Sequence, residues 1–95
     1  MAFVLNVTLD NMEYRHILTG VSSQSGKPWM SLVFEDKEAN QIQASVPNDM
    51  QGDVYGLGLR KGDMCVIAVR AVARNDGNSY VQLTALPEIY EGEDE

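Results

Sequence analysis

The sequence predicts an all-β protein, a small closed barrel built from about five or six short strands. Three observations predict it. Apolar and polar residues alternate with a period of two along most of the chain, no long stretch shows helical periodicity, and turn-forming residues separate the alternating runs. With 95 residues, 44% of them hydrophobic and 22% charged, the chain is long enough for one soluble domain with a modest core.

Four extended segments are expected in the first half of the chain, at residues 3–9, 12–19, 28–36 and 41–46. Asp10-Asn11 separates the first two, and the fourth stops at Pro47, which has no amide hydrogen to donate. The alternation assigns the following side chains to the inner face: Phe3, Leu5, Val7, Leu9, Met30, Leu32, Phe34, Ile42, Ala44 and Val46.

The second half begins with an irregular segment at residues 48–59, whose three glycines allow only a short helical turn near 49–54. A strand at 63–74, expected to be the longest, follows. An Asp-Gly hairpin turn at 75–79 then leads into a closing strand at 80–86. This order matches a five-stranded OB-type Greek-key barrel, which would also remove exposed strand edges. An open sandwich is the alternative, since periodicity does not give strand order.

Charge divides the chain into an OB-fold-like β-barrel at residues 1–87 and an acidic flexible tail at 88–95. The formal net charge is −7, but residues 1–87 carry only −2, because five acidic residues lie in the tail. Such a tail increases solubility, competes with a ligand for the protein's own groove, or recruits basic partner proteins.

Membrane insertion and secretion are not expected. No apolar run approaches the roughly 20 residues that span a bilayer, and the first residues lack a basic leader. The single cysteine, Cys65, cannot form an internal disulfide and is expected to be a small buried apolar group. These features predict a cytoplasmic protein.

Catalysis is also not expected. The single histidine, His16, has no serine or cysteine nucleophile pattern near it, and metal-ligand spacings are absent. The glycines do not form a phosphate-binding loop before a helix. We therefore expect a protein that is not an enzyme and that uses no cofactor or metal.

The polar loop at residues 21–29 carries the strongest functional signal, because Lys27 lies beside the only tryptophan, Trp29. A lysine can neutralise a phosphate and an indole can stack on a base, so the pair predicts binding of single-stranded DNA, with RNA as an alternative ligand. Trp29 shares its expected outer face with Ser31 and Glu35, which favours an exposed ring. A ring that fills the mouth of the barrel is the alternative.

Four further residues are candidates for the same surface. Tyr80 is expected on the outer face, where it would stack on a base or cap the barrel. Arg70 and Arg74 project from one side of a strand, roughly 13 Å apart, or about two phosphate spacings. Salt bridges to nearby acidic residues are the alternative role for both arginines. Arg15 is a weaker candidate.

The segment at residues 19–29, Thr-Gly-Val-Ser-Ser-Gln-Ser-Gly-Lys-Pro-Trp, resembles a loop of the helix-destabilising, single-stranded-DNA-binding proteins of filamentous phages. Those proteins carry a similar Ser-Gly-Val-Ser-x-Gln-Gly-Lys-Pro-Tyr segment. The matching positions are Gly26, Lys27, Pro28 and Trp29, with one residue inserted before Gly26. The resemblance implies an OB-type barrel that coats single-stranded DNA as a homodimer during phage replication in the host cytoplasm. A protein-interaction module that scaffolds a replication or structural complex is the alternative function.

Overall fold

Five strands close into a barrel in the computed structural model, which describes residues 3–73 and 79–90. The elements are, in chain order, β1 (Phe3–Val21), β2 (Pro28–Glu35), β3 (Gln41–Ser45), a 3-10 turn (Asn48–Met50), α1 (Gln51–Gly56), β4 (Met64–Ala73), β5 (Ser79–Leu83) and β6 (Glu88–Ile89). The sheet order is β1-β2-β3-β5-β4, and β4 pairs back onto β1. Among the strands of the described residues, only β3 and β5 pair in parallel. This confirms the predicted five-stranded OB-type barrel and excludes the open sandwich.

Strand β1 belongs to two sides of the barrel. Its second half, from Glu13, pairs with β2, whereas its first half pairs with β4. The strand bends between Leu9 and Met12, where Asn11 has a positive φ of 55°. Asparagine tolerates this left-handed conformation better than most residues, and the extra residue forms a bulge. The predicted break at Asp10-Asn11 is therefore a bend within one strand of 19 residues, and β1 is longer than β4, contrary to the prediction.

The core fills the barrel with residues of β2 and β4. Buried residues alternate along β4, whereas β2 is buried at every residue from 30 to 34. Rings of Tyr14 and Phe34 meet edge to face with centroids 5.9 Å apart. Helix α1 contributes Val54, so the segment after β3 closes one end of the barrel. The buried cluster consists of Met12, Tyr14, Met30, Leu32, Phe34, Ala44, Val46, Val54, Cys65, Ile67, Val69 and Leu83. Burying each large member completely contributes about 1.5–3 kcal/mol.

The first residues of β1 do not reach this core. Phe3 and Leu5 share a face with the core residues of β4, yet their side chains are 66% and 52% exposed, and Val7 is also exposed. The prediction that these three side chains are buried in the interior is therefore wrong. The alternation gave the correct face, but the described residues place no second layer over the part of β1 that precedes its pairing with β2.

The ordered chain continues past the predicted barrel boundary at residue 87. Glu88 and Ile89 pair with Val66 and Cys65 of β4, and the amide of Tyr90 donates to the carbonyl of Met64 at 2.9 Å. The predicted hairpin turn and Arg74 fall outside the described residues, as do the last five residues of the acidic tail.

Candidate nucleic-acid interface

Trp29 lies on the outside of the barrel, as the second residue of β2, directly after the polar loop. Its side chain is 43% exposed, so the ring does not fill the barrel mouth. It pairs across the strands with Gly20. A Cβ placed on Gly20 would lie 2.7 Å from Cζ2 and 2.8 Å from Cε2 and Nε1 of the indole. The ring therefore covers the bare Cα of Gly20, and only glycine leaves room for it there.

This arrangement holds the indole in place before any ligand arrives. A side chain that rests on the neighbouring strand has fewer rotamers to lose on binding, which lowers the entropic cost of stacking. Sequence reasoning did not single out Gly20. The available signal was a glycine inside a strand, which marks a place where another group approaches the backbone closely.

The loop before Trp29 is closed by its own hydrogen bonds. The amide of Ser22 donates to the carbonyl of Lys27 at 2.9 Å, and the amide of Gly26 donates to the carbonyl of Ser22 at 2.8 Å. The Ser22 hydroxyl oxygen accepts from the amides of Gln24 and Ser25, both at 3.3 Å. These bonds make a compact turn. Lys27 is exposed at the end of this turn, directly before β2.

Gly26 and Pro28 have distinct geometric roles in this turn. Gly26 adopts a φ of +72°, where a side chain would be strained although the space around it is open. Pro28 is the first residue of β2 and pairs with Val21. A proline is tolerated at the first position of a strand. Lys27 and Trp29 thus lie on either side of Pro28, where the loop enters β2 at the end of the sheet.

A row of register-paired residues connects this region with Arg70. It begins at Ser31, which is only 7% exposed, contrary to the expectation that it lies on an open outer face beside Trp29. Register pairs join Ser31 to Ser45, Ser45 to Gln82, and Gln82 to Arg70. With strands about 4.8 Å apart, Arg70 lies roughly 14 Å around the barrel from Ser31, two residues beyond Trp29. Arg70 is exposed. The accessible part of the row, Arg70 with the half-buried Gln82 and Ser45, is polar and carries no carboxylate, so it is compatible with a strand of phosphates.

Tyr80 lies on the same outer face of β5, two residues before Gln82. It pairs with Val72, which is buried on this face, and the ring itself is partly exposed. Val4 pairs with Val72 from the other side. Tyr80 therefore both flanks a buried valine and presents ring surface, and the geometry supports packing as well as stacking for this residue.

Arg15 lies apart from this surface. Its guanidinium contacts the carboxylates of Glu13 at 3.2 Å and Glu35 at 3.4 Å. Glu13 and Glu35 stand directly opposite each other on β1 and β2, so Arg15 neutralises a repulsive cross-strand pair. Glu35 lies six residues from Trp29 along β2, about 20 Å in extended chain. We assign Arg15 to the sheet rather than to the ligand surface.

Two further titratable groups, Cys65 and Asp36, have shifted pKa values. Burial, aided by the charge of Asp63, raises the pKa of the Cys65 thiol to about 11, so little thiolate forms near neutral pH. Hydrogen bonds, foremost from the amide of Asn40, lower the pKa of Asp36, which organises the β2–β3 turn. Within residues 3–73 and 79–90, no three His, Cys, Asp or Glu side chains lie together as metal ligands.

No protein-family model, curated protein or solved structure matches this chain. In the part of the chain that the structure describes, no helix has the length and apolar character needed to cross a bilayer. The barrel and the surface around Trp29 are therefore the features of this protein that indicate a function.

Proposed function

We propose that this protein binds single-stranded DNA without catalysis and coats it during replication of a phage or mobile element in the host cytoplasm. One observation carries the proposal: the only tryptophan is half exposed on the outer face of an OB-type barrel, and its ring lies against Gly20. OB-type barrels bind oligonucleotides through this face and the adjacent loops.

Each residue has a stated role in the proposal. Trp29 stacks on one base, Lys27 neutralises an adjacent phosphate, and Arg70 meets the backbone where the strand passes over β4. Arg74, outside the described residues, would extend the same line. Tyr80 offers a second stacking surface. Stacking contributes about 1–3 kcal/mol per base and requires no particular base, so weak sequence preference is expected.

The test compares two variants that each remove one aromatic ring. Trp29→Ala should weaken binding of a labelled oligo-dT, measured by fluorescence anisotropy, by about 5- to 150-fold, which corresponds to about 1–3 kcal/mol. Tyr90→Ala is the matched control, because Tyr90 is 44% exposed but pairs with β4 beside Met64, away from the loop. Equal affinities for wild type and Trp29→Ala would count against the proposal.

A protein-interaction module is the second candidate. The net charge of −7 favours it, because an acidic chain is repelled by a polyanion. In that function Trp29 and Tyr80 would anchor a protein partner, and oligo-dT would not bind at low salt. RNA is the third candidate ligand, and competition between DNA and RNA oligonucleotides of equal length distinguishes it.

The acidic tail provides a regulatory component of the proposal. Residues 91–95 carry four acidic side chains, beyond the strand β6 that pairs with β4. If these charges compete with DNA for the protein's own surface, removing them strengthens oligo-dT binding without disturbing β6. An unchanged affinity would refute competition and leave recruitment of other replication proteins as the role of the tail.

A further inference from the structure

The first half of β1 presents an open strand edge. Residues 3–9 pair with β4 on one side, whereas β2 pairs with β1 only from Glu13 onward. Among the described residues no strand pairs with the opposite side of residues 3–9, which we call the open edge of β1. An open edge offers a row of backbone donors and acceptors to another strand.

The side chains on this edge lack the usual protection against strand pairing. Edge strands are commonly blunted by lysine, proline or inward-pointing charge. The sequence Phe-Val-Leu-Asn-Val-Thr-Leu at residues 3–9 contains none of these and is rich in β-forming residues. Phe3 and Leu5 are largely exposed along it. The edge is therefore suited to contact a strand that is itself uncharged and apolar.

We propose that a second copy of this chain occupies this edge, with the two β1 strands antiparallel about a two-fold axis at Asn6. This register uses all seven uncharged residues and keeps the apolar face of one copy beside that of the other. It places Phe3 opposite Leu9, and Leu5 opposite Val7, of the other copy. Phe3 of one copy, which is 66% exposed, thus packs beside the part-buried Leu9 at the rim of the other barrel.

Charge also favours this contact between identical chains. Each copy has a net charge of −7, so most surfaces of two copies repel each other. Because residues 3–9 carry no charge, they offer a contact where repulsion is weakest. The result is a continuous six-stranded sheet, β5-β4-β1 followed by the same three strands of the other copy in reverse order.

The dimer would also extend the proposed ligand surface, and this consequence rests on the proposed function. Arg70 pairs with Asn6, so the two Arg70 side chains would lie on one face of the shared sheet, three strand spacings or roughly 14 Å apart. Two copies would then present their cations to one DNA strand.

Sedimentation equilibrium of the full chain without DNA tests the interface independently of DNA binding. Wild type should sediment as a dimer, and Leu5→Lys should raise the dissociation constant by at least about tenfold, because it places a cation in the apolar contact. Val21→Lys is the matched control: Val21 lies on the same strand, is 66% exposed, and gives the same change in net charge. Thermal melts show whether each variant is folded.

A disulfide tests the register. Directly opposed residues of antiparallel strands have Cα atoms about 4.5–5.5 Å apart, within disulfide range. Asn6→Cys should therefore form a covalent dimer under mild oxidation, whereas Thr19→Cys should not. A wild-type chain that sediments as a monomer would overturn the proposal. The finding that a different protein supplies the strand that pairs with this edge would also overturn it. A dimer that survives Leu5→Lys, or a non-crosslinking Asn6→Cys dimer, would overturn it as well.

Discussion

Replacing Gly20 by alanine tests whether the position of the indole matters for binding. The added Cβ would lie 2.7 Å from Cζ2 of Trp29, whereas carbon atoms pack best at about 3.5–4.0 Å. The ring must therefore shift by about 1 Å or swing away from β1. Gly20 is not strained by a positive φ, so alanine fits the backbone and the effect falls on the ring.

The displacement of the Trp29 ring can be measured by fluorescence in the absence of DNA. Trp29 is the only tryptophan, so its emission maximum and its quenching by acrylamide report the position of this ring alone. We expect Gly20→Ala to be quenched more strongly than wild type, because the ring loses the support of β1. An unchanged spectrum would refute the stacked geometry itself.

The affinity change follows from the same geometry. If the preformed ring position is what allows stacking, Gly20→Ala should lose up to the affinity lost by Trp29→Ala, about 5- to 150-fold for labelled oligo-dT. The double variant should bind no more weakly than Trp29→Ala, since the two changes remove one interaction. A displaced ring with unaltered affinity would refute the importance of ring position.

Gly52→Ala serves as the matched control for the glycine substitution. Gly52 lies in α1, and a Cβ there would have no atom within 4 Å. Its oligo-dT affinity should equal that of wild type, and its stability should rise by about 0.5–1 kcal/mol, because alanine favours the helix. A matching loss of affinity in this control would mean that Gly20→Ala acts indirectly.

Three further outcomes are expected. Lys27→Ala should weaken oligo-dT binding and make the log–log salt slope shallower by about 0.7, the value for one phosphate of a single strand, measured by titration at several salt concentrations; an unchanged slope would contradict a phosphate contact. Arg15→Ala should leave this affinity unchanged but lower stability in urea by at most about 1 kcal/mol, because its ion pairs with Glu13 and Glu35 are partly exposed; a large loss of affinity would return Arg15 to the ligand surface. Cys65 should resist a thiol reagent near pH 8 until the protein unfolds, because the thiol is buried and its pKa is raised to about 11; rapid labelling of the folded chain would contradict this.

Much of the barrel was predictable because burial imposes a local pattern. In β2 the alternation placed Leu32 and Phe34 inside, and the structure buries both completely, but it also buries Ser31, which the alternation placed on the outer face. The course of β1 was not predictable in the same way. Whether Asp10-Asn11 ends a strand or bends it depends on which strands pair on each side. The exposure of Phe3 also depends on what covers it, which no local pattern encodes.

The candidate site was likewise predictable where it depends on residues close in sequence, and not where it depends on strand pairing. The proximity of Lys27 and Trp29 is local, so the sequence alone drew attention to the pair. The contact between Trp29 and Gly20 depends on the register across the loop, and the ion pairs of Arg15 depend on the pairing of Glu13 with Glu35. Its positive charge suggested that Arg15 belongs to the DNA-binding surface. Only the strand register showed that this charge is already paired.

The central claim is that an unpaired base stacks on Trp29, and its emission during a titration with oligo-dT tests this most directly. The account predicts that the emission is quenched to saturation at low salt. It also predicts that affinity falls with salt at a shallow log–log slope of about −2 to −3, as expected for three or four neutralised phosphates. Unquenched emission throughout the titration, together with an unshifted oligonucleotide in a native gel, would contradict it.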